Sequence, residues 1–444
     1  MTARRGNTYC LTAGCAVVLL SLLASTSFGA ERFPPPDFTD HQLPTMTTPA
    51  ARANWLEYLD LAAVVVGLAA ASYFALWRRS RRGLVLLAVG SLLWLGFWKA
   101  GCVCPIGAIQ NVALGMFDYE YAVPMTVLAL FALPLVFALF VGRTFCAAVC
   151  PLGAVQELVL LRPVKVPRWL EHSLGLLAYV YLGLAVLLAA TGTAFLICRY
   201  DPFVGFFRLG GSLNMLVLGG CFLVLGMFVG RPYCRFLCPL GAILGLLSPL
   251  ARRHVTITPT QCIQCRLCED ACPYGAIEEP TVDQSPAVRR AGRWRLGGLL
   301  VLLPVLVGFG AWLGTRLDVP LAQAHPTVRL AERMHLEQTG RVEGTTDASD
   351  AFRNTGQPVE QLHAEAAALL GTFRTAGAWF GAWVALVVGG KLIHLSVRRR
   401  RTDWQPIRAN CVACGRCFRY CPQDERNHQS SLTHNPERPN HDRG

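Results

Sequence analysis

Long apolar runs separated by short polar segments dominate the chain. They cover residues 59–77, 84–98, 123–141, 174–197, 213–229, 296–313 and 378–397, and most approach the roughly 20 residues that span a bilayer. The pattern predicts an all-α polytopic membrane protein with about seven spans. A shorter apolar run at 11–23 follows two arginines and ends in small and polar residues, which predicts a cleavable signal peptide over residues 1–30.

Composition and charge agree with a membrane location. Of the 444 residues, 53% are hydrophobic and 16% are charged, which is too apolar for an ordinary soluble protein. The net charge of +13 would suit nucleic acid, but basic residues cluster beside the spans, at 78–82 and 398–401. The positive-inside rule explains these clusters better, so we predict no nucleic-acid partner. It predicts a bacterial inner-membrane protein whose mature N-terminus lies outside and whose C-terminus is cytoplasmic.

Two runs of four cysteines carry the clearest chemistry. Both have the spacing C-x-x-C-x-x-C-x-x-x-C-P of a bacterial ferredoxin half, in which the fourth cysteine ligates the other cluster. The spacing therefore predicts two 4Fe-4S clusters, one held by Cys262, Cys265, Cys268 and Cys421, the other by Cys411, Cys414, Cys417 and Cys272. Structural zinc and disulfides are the alternatives. The repetition of the full cysteine run argues against zinc, and the crowding of the cysteines and a cytoplasmic location argue against disulfides.

The order of spans and cysteine runs predicts a ferredoxin-like α+β module that is split by a membrane hairpin. Its two halves must meet in space to exchange their fourth cysteines. The predicted domains are a signal peptide (1–30), an extracytoplasmic segment (31–58), a membrane domain (59–250), a first ferredoxin half (251–295), a membrane hairpin (296–397) with an extracytoplasmic loop (315–374), and a second ferredoxin half with a tail (398–444).

A Cys-Pro motif recurs at the predicted membrane ends. Residues 142–154 and 230–242 share the pattern G-R-x-[FY]-C-x-x-x-C-P-L-G-A, which contributes Cys146, Cys150, Cys234 and Cys238. These thiols could hold a further metal centre, relay electrons to the clusters, or pack as small buried hydrophobes. A degenerate copy of the motif contributes Cys102 and Cys104 at the opposite membrane end. This pair could be a redox-active dithiol, a pair of metal ligands or a structural disulfide.

Cytoplasmic clusters alone cannot reach an acceptor outside, because the hydrocarbon core is roughly 30 Å thick. The Cys102/Cys104 pair, a quinone in the bilayer or a flavin on the outer loop could bridge this distance. Residues 344–349 match the pattern G-x-T-x-A-S, at which some respiratory proteins carry FMN through a phosphoester, here at Ser349. Helix capping by Thr346 and Ser349 is the alternative interpretation of this segment.

The paired ferredoxin runs together with the Cys-Pro repeats resemble the NosR/NapH-type membrane iron–sulfur proteins, and more distantly the FixG/CcoG type, from about residue 84 onward. The resemblance implies that the eight ferredoxin cysteines are cluster ligands and that Cys146, Cys150, Cys234 and Cys238 are the membrane-boundary thiols of the family. It implies electron transfer between the quinone pool or cytoplasmic donors and an extracytoplasmic redox protein or reductase, as in a quinol dehydrogenase component.

This chain departs from the pattern of that family in the hairpin between the ferredoxin halves and in the Cys102/Cys104 pair. A second hypothesis is therefore an accessory protein that reduces a metal or a thiol during assembly of a periplasmic metalloenzyme.

Overall fold

The computed structural model describes residues 54–101, 105–257, 262–281, 285–397 and 401–423. Helices account for about 70% of the structure. The predicted signal peptide and the pair Cys102 and Cys104 lie outside the described residues.

The helices differ widely in length, and three short π-helical segments interrupt or extend the first ones. The bounds of the α-helices are α1 Asn54–Ser72, α2 Arg81–Ser91, α3 Pro105–Phe117, α4 Met125–Val141, α5 Pro151–Leu158, α6 Arg168–Leu174, α7 Leu177–Ala190, α8 Leu196–Arg199, α9 Val204–Phe207, α10 Leu213–Gly226, α11 Pro232–Phe236, α12 Pro239–Leu247, α13 Leu267–Asp270, α14 Pro286–Gly314, α15 Asp318–Ala322, α16 Pro326–Gln338, α17 Asp347–Asn354, α18 Val359–Ser396 and α19 Arg416–Arg419. The π-helical segments are Tyr73–Trp77, Leu92–Trp98 and Phe145–Val149, and 3-10 turns cover Ser248–Leu250 and Thr315–Leu317.

Five helices in the described part of the chain are long and apolar enough to cross a membrane. They are Trp55–Trp77, Arg81–Trp98, Arg168–Ala190, Pro286–Ala322 and Val359–Ser396. The prediction of a helical membrane protein is confirmed, whereas seven spans stay a prediction because α4 and α10 have only 17 and 14 residues. Two further apolar helices, Pro105–Phe117 and Pro239–Leu250, begin at the proline of a Cys-Pro pair. Proline suits this position because it is tolerated in the first turn of a helix but not in its interior.

Helices α14 and α18 form a hairpin whose backbones touch through glycines. A Cβ atom at Gly314 would lie 2.0 Å from the carbonyl oxygen of Gly377, and one at Gly381 would lie 2.0 Å from that of Gly310. Both helices thus carry the small-x-x-x-small spacing that lets membrane helices approach closely. Helix α14 has little other cover, because none of its most apolar stretch is buried, whereas α18 also contacts α7, where Trp383 donates to the carbonyl of Tyr179 at 2.9 Å.

The two ferredoxin halves meet in a small antiparallel sheet. Strand β1 (Ile277–Glu278) follows the first cysteine run and pairs with β2 (Gln405–Pro406), which precedes the second run. The pairing opposes Ile277 to Pro406, although the whole hairpin lies between them in the chain. The sheet therefore brings the two cysteine runs to the same place.

Candidate iron–sulfur sites

The eight ferredoxin cysteines line two cavities, and each cavity draws on both halves of the module. The first, called here the distal cavity, has about 290 Å³ of empty space, and its thiols are Cys262, Cys265, Cys268 and Cys421. The second, called the proximal cavity, has about 360 Å³, and its thiols are Cys272, Cys411, Cys414 and Cys417. These are the two sets that the exchange of the fourth cysteine predicts.

Left-handed backbone positions bend both Cys-x-x-Cys loops around their cavities. Gln264 and Ala413, which precede the second cysteine of each run, have φ angles of 54° and 55°. Arg266 and Gly415, which follow it, have φ angles of 64° and 76°. This conformation costs a residue other than glycine about 1–2 kcal/mol, so the two loops share a shape that local preference does not favour. The shared shape turns three thiols of each run toward one point.

The donor set at each cavity fits a 4Fe-4S cluster. No three His, Cys, Asp or Glu side chains in the described ranges lie close enough to share a single metal ion. Four thiols around a cavity are the ligand set of a 4Fe-4S cluster. Burial raises the pKa of Cys411 to about 11 and that of Cys414 to about 12, so iron binding must displace their protons.

The two cavities have different surroundings. At the distal cavity Cys265 is exposed, and the guanidinium of Arg266 lies over the ring of Trp404, 5.4 Å from its centroid. At the proximal cavity, Cys414 and Cys146 of the first Cys-Pro repeat both pack against the same group of buried side chains, Tyr274, Ala276 and Val412. The distal cavity therefore opens toward solvent, and the proximal cavity contacts the membrane domain.

A buried carboxylate, Glu157 in α5, ties the ferredoxin halves to the membrane domain. Its Oε1 atom accepts hydrogen bonds from Arg81 at 2.8 Å and from Arg416 at 2.8 and 3.1 Å. Its Oε2 atom accepts from Arg231 at 3.2 Å and from the hydroxyl of Tyr274. These partners belong to α2, to the second ferredoxin half, to the second Cys-Pro repeat and to the first ferredoxin half.

Three cations around one carboxylate control its charge. Burial alone would raise the pKa of Glu157, but Arg231, Arg416, the hydrogen bond from Tyr274 and Arg81 together lower it to about 2. Glu157 is therefore ionised at neutral pH. Removing one member of such a buried network leaves uncompensated charge, which is strongly destabilising.

The two Cys-Pro repeats pack against each other reciprocally. Arg231 of the second copy lies over Gly153 of the first, where a Cβ atom would be 3.2 Å from its Nη1 atom. Arg143 of the first copy lies over Gly241 of the second, where a Cβ atom would be 3.3 Å from its Nη2 atom. Arg143 also donates to the carbonyl of Ala409 in the second ferredoxin half at 2.8 Å. The repeat thus builds two equivalent arginine bridges.

The four boundary thiols lie at one hydrophobic core, in which Cys150 and Cys238 are buried and against which the partly buried Cys146 and Cys234 pack. Gln156 donates from Nε2 to the sulfur of Cys234 at 3.2 Å and accepts at Oε1 from the N–H of Tyr233 at 3.1 Å. The sulfur of Cys238 accepts from the N–H of Gly241 at 3.3 Å. Gln156 is a candidate functional residue that the cysteine pattern alone did not reveal. Its sequence signal is the glutamine that also follows the degenerate Cys-Pro copy by the same interval, Gln110.

The boundary thiols lie inside the membrane domain. The hydroxyl of Ser91 in α2 donates to the carbonyl of Val149, next to Cys150. Ser91 is ten residues beyond Arg81, which contacts the ferredoxin, so it lies about 15 Å further along the helix axis. The first repeat thus extends from the second ferredoxin half, through Arg143, to the helices of the membrane domain, through Val149.

Ser349 is buried in the cap of α17. It forms a capping box with Thr346, and its hydroxyl donates to Glu337 at 3.0 Å. These contacts are those of the helix-capping alternative, and the flavin attachment stays a prediction.

Comparison with known proteins agrees with this picture. A 4Fe-4S binding domain model matches residues 123–168 and 212–258, which contain the two Cys-Pro repeats. Another 4Fe-4S binding domain model matches residues 255–278 in the first ferredoxin half. The uncharacterized protein MJ0750 of Methanocaldococcus jannaschii is 30% identical over 207 residues, which cover 84% of that protein and 44% of this chain. The chain belongs to the family of MJ0750.

Two further proteins are similar in sequence to part of this chain. The putative electron transport protein YccM of Escherichia coli is 25% identical over 44% of this chain, and the chain covers 65% of its length. The protein NirI of Paracoccus denitrificans is 31% identical over 46% of this chain, and the chain covers 32% of its length. No solved structure matches the chain.

Proposed function

We propose that this member of the MJ0750 family is a membrane-bound electron-transfer protein with two 4Fe-4S clusters. One cluster occupies the distal cavity, with Cys262, Cys265, Cys268 and Cys421 as ligands. The other occupies the proximal cavity, with Cys272, Cys411, Cys414 and Cys417 as ligands. The observation that carries the proposal is the pair of cavities, each lined by three thiols of one run and the fourth of the other.

The clusters supply one-electron redox chemistry. The distal cavity is the place where a soluble partner can exchange electrons, because Cys265 is exposed there. The buried side chains against which both Cys414 and Cys146 pack connect the proximal cavity to the boundary thiols. Electrons therefore pass between a soluble protein at the distal cavity and the membrane domain at the proximal cavity.

Charge around the proximal cavity favours the thiolate ligands. Arg81 donates to the carbonyl of Cys414 at 2.8 Å, and Arg416 lines the cavity itself. With Arg231, these cations exceed the single negative charge of Glu157. A net positive environment stabilises the reduced, more negative form of a cluster and raises its potential.

The boundary thiols Cys146, Cys150, Cys234 and Cys238 extend this route into the membrane, as ligands of a further centre or as a relay. The 4Fe-4S binding domain model that matches both of their segments favours the first role. We assign the chain to the NosR/NapH type, with the predicted domain bounds and with the ferredoxin module on the cytoplasmic face of the inner membrane. A quinone or an extracytoplasmic redox protein is its proposed partner. The name of the putative electron transport protein YccM supports the electron-transfer role itself.

The test is iron and acid-labile sulfide analysis combined with electron paramagnetic resonance of the anaerobically purified protein. We expect at least about eight irons per chain and, after dithionite reduction, interacting signals from two neighbouring 4Fe-4S clusters. The Cys417→Ser variant should lose the signal of one cluster, with Cys221→Ser in α10 as the matched control. Zinc in place of iron, with no such signals in the wild type, would overturn the proposal.

A further inference from the structure

The distal cavity opens on an exposed surface that carries apolar side chains. Ile263 and Leu267, two residues before and two after Cys265 in the chain, are 55% and 47% exposed. In the other half of the module, Tyr420 precedes Cys421 and is 57% exposed. Ile263, Cys265 and Cys421 line the cavity itself. This surface is called here the distal face.

The apolar side chains of the distal face lie beside a thiol. Exposed apolar residues are ordinary where they are scattered singly, but here they border one cavity, and Cys265 between them is itself exposed. The centre of a protein–protein interface is its most apolar part, and polar and charged residues surround it. The distal face therefore has the composition of an interface centre at the place where a partner can come closest to a cluster ligand.

Arg266 adds a cation between these apolar side chains. Its side chain is 62% exposed, and its Nε atom lies 3.4 Å from a carboxylate oxygen of Glu269. Glu269 also lies 4.0 Å from Lys165, and Asp270 forms an ion pair with Lys165 at 2.7 Å. Two cations thus balance the two carboxylates on this side of the cavity. The net charge of the distal face is decided by its other neighbours.

Surplus positive charge comes from the segment that leads into α2. Arg79 donates to the carbonyl of Ile257 at 2.7 Å, and Ile257 lines the distal cavity. Arg78 and Arg82 are exposed, and neither forms an ion pair with another residue of the described ranges. Asp403, in the second ferredoxin half, offsets at most one of these three charges. This border of the distal face is therefore net positive.

Charge at the rim of an interface selects a partner by its sign. A surface of one sign raises the association rate of a protein of the opposite sign and repels a protein of like sign, and salt weakens both effects. Because the arginines border the distal cavity, they draw an acidic carrier toward the exposed thiol. They repel a basic carrier from the same place.

Arginines beside a membrane span also suit anionic lipid headgroups. Two observations favour a protein here. Arg79 is fixed on the first ferredoxin half by hydrogen bonds to the carbonyls of Thr256 and Ile257 at 3.0 and 2.7 Å. The surface that the arginines border contains the exposed Cys265, and a lipid headgroup exchanges no electrons with a cluster ligated there.

We propose that the distal face, with Arg78 and Arg82 at its rim, docks a soluble acidic protein that carries one electron on an iron–sulfur cluster or a flavin. One electron passes between the reduced carrier and the oxidised distal cluster, and no bond forms or breaks. The inference rests on the proposed electron-transfer function, to which it adds the charge of the partner and the side chains that receive it.

The test mixes the oxidised protein with a reduced acidic 2Fe-2S ferredoxin, freed of other reductants, and follows the bleaching of the cluster absorbance by stopped flow. We expect the second-order rate to fall roughly tenfold between about 20 and about 300 mM salt, because salt screens the attraction. The cation radical of methyl viologen, which has similar reducing power, is the control reductant. Its rate should not fall with salt.

Three variants separate the charges from the apolar contact. Arg82→Glu should lower the ferredoxin rate roughly fivefold at low salt and have little effect at high salt. Arg329→Glu in α16 is the matched control, because it changes the charge of another exposed arginine by the same amount. Leu267→Ser should weaken saturation by ferredoxin equally at all salt concentrations, since it removes apolar contact and no charge. The methyl viologen rate should be the same in all three.

A ferredoxin rate that is independent of salt or rises with salt overturns the inference, as do equal losses in Arg82→Glu and Arg329→Glu. Loss of the reaction in nanodiscs of anionic phospholipid, with retention in zwitterionic nanodiscs, also overturns it, because lipid then occupies the arginines. Reduction by methyl viologen but not by ferredoxin overturns the inference alone. Failure of both reductants, in a wild type without iron–sulfur signals, overturns the proposed function as well.

Discussion

The two thiol-lined cavities use the same cysteine spacing but differ in what surrounds them. The distal cavity is bounded by an exposed thiol, Cys265, and by a cation that stacks on Trp404. The proximal cavity is built into the membrane domain through Arg81, Arg416 and the buried Glu157. The two sets of four thiols have the same spacing, so under the proposed function the surroundings would decide which cluster faces a soluble partner and which faces the membrane domain.

The cysteine ligands should show the largest effects and test the crossed pairing directly. We expect Cys421→Ser to lose the same cluster as Cys265→Ser, although Cys421 belongs to the other run in sequence. Cys414→Ser should lose the second cluster, and each variant should lose about four irons. Iron analysis with electron paramagnetic resonance distinguishes these outcomes. If Cys421→Ser instead matched Cys414→Ser, each run would bind its own cluster and the crossed assignment would be wrong.

Substitution of Glu157 should lower the stability of the protein and affect the cluster at the proximal cavity alone. Glu157→Ala leaves three arginines near one another without their carboxylate, and breaking such a buried network costs roughly 3–5 kcal/mol. We expect a lower thermal midpoint and loss of the proximal cluster with the distal signal retained. Glu269→Ala is the matched control, because its contacts with Lys165 at 4.0 Å and Arg266 at 3.4 Å lie near the surface and are worth at most about 1 kcal/mol. Equal losses in the two variants would remove Glu157 from its proposed role.

Arg266 offers a smaller change at the distal cavity. It occupies the left-handed position at which the other run has Gly415, so Arg266→Gly should relieve about 1 kcal/mol of backbone strain. Loss of the cation should lower the potential of the distal cluster by up to about 40 mV, the equivalent of ~1 kcal/mol for one electron. A redox titration followed by electron paramagnetic resonance measures both clusters. A larger shift at the proximal cluster would contradict the assignment of Arg266 to the distal cavity.

The sequence was sufficient to predict what depends on spacing. The helical membrane domain follows from long apolar runs. The exchange of Cys272 and Cys421 between the two runs predicts which thiols share a cavity, and their role as cluster ligands stays a prediction. The contacts of Ser349 were likewise anticipated by the capping alternative.

Contacts between distant segments could not be predicted in this way. Nothing in the local sequence around Glu157 indicates that Arg81, Arg231 and Arg416 converge on it. In the same way, Gln110 accepts from the N–H of Cys198, which is 88 positions away in the chain. Only the packed structure joins such residues.

The membrane hairpin should have the smallest effect on either cavity. Gly314→Leu places a side chain where the backbone of Gly377 lies, and such overpacking costs about 1–3 kcal/mol. We expect the hairpin to become more sensitive to protease, with both cluster signals retained because Glu157, Arg143 and strand pairing hold the second ferredoxin half in place. Gly308→Leu in the same helix is the control, because nothing lies within 4 Å of its Cβ position. Loss of the proximal cluster in Gly314→Leu alone would mean that the hairpin, and not the Glu157 network, positions the second half.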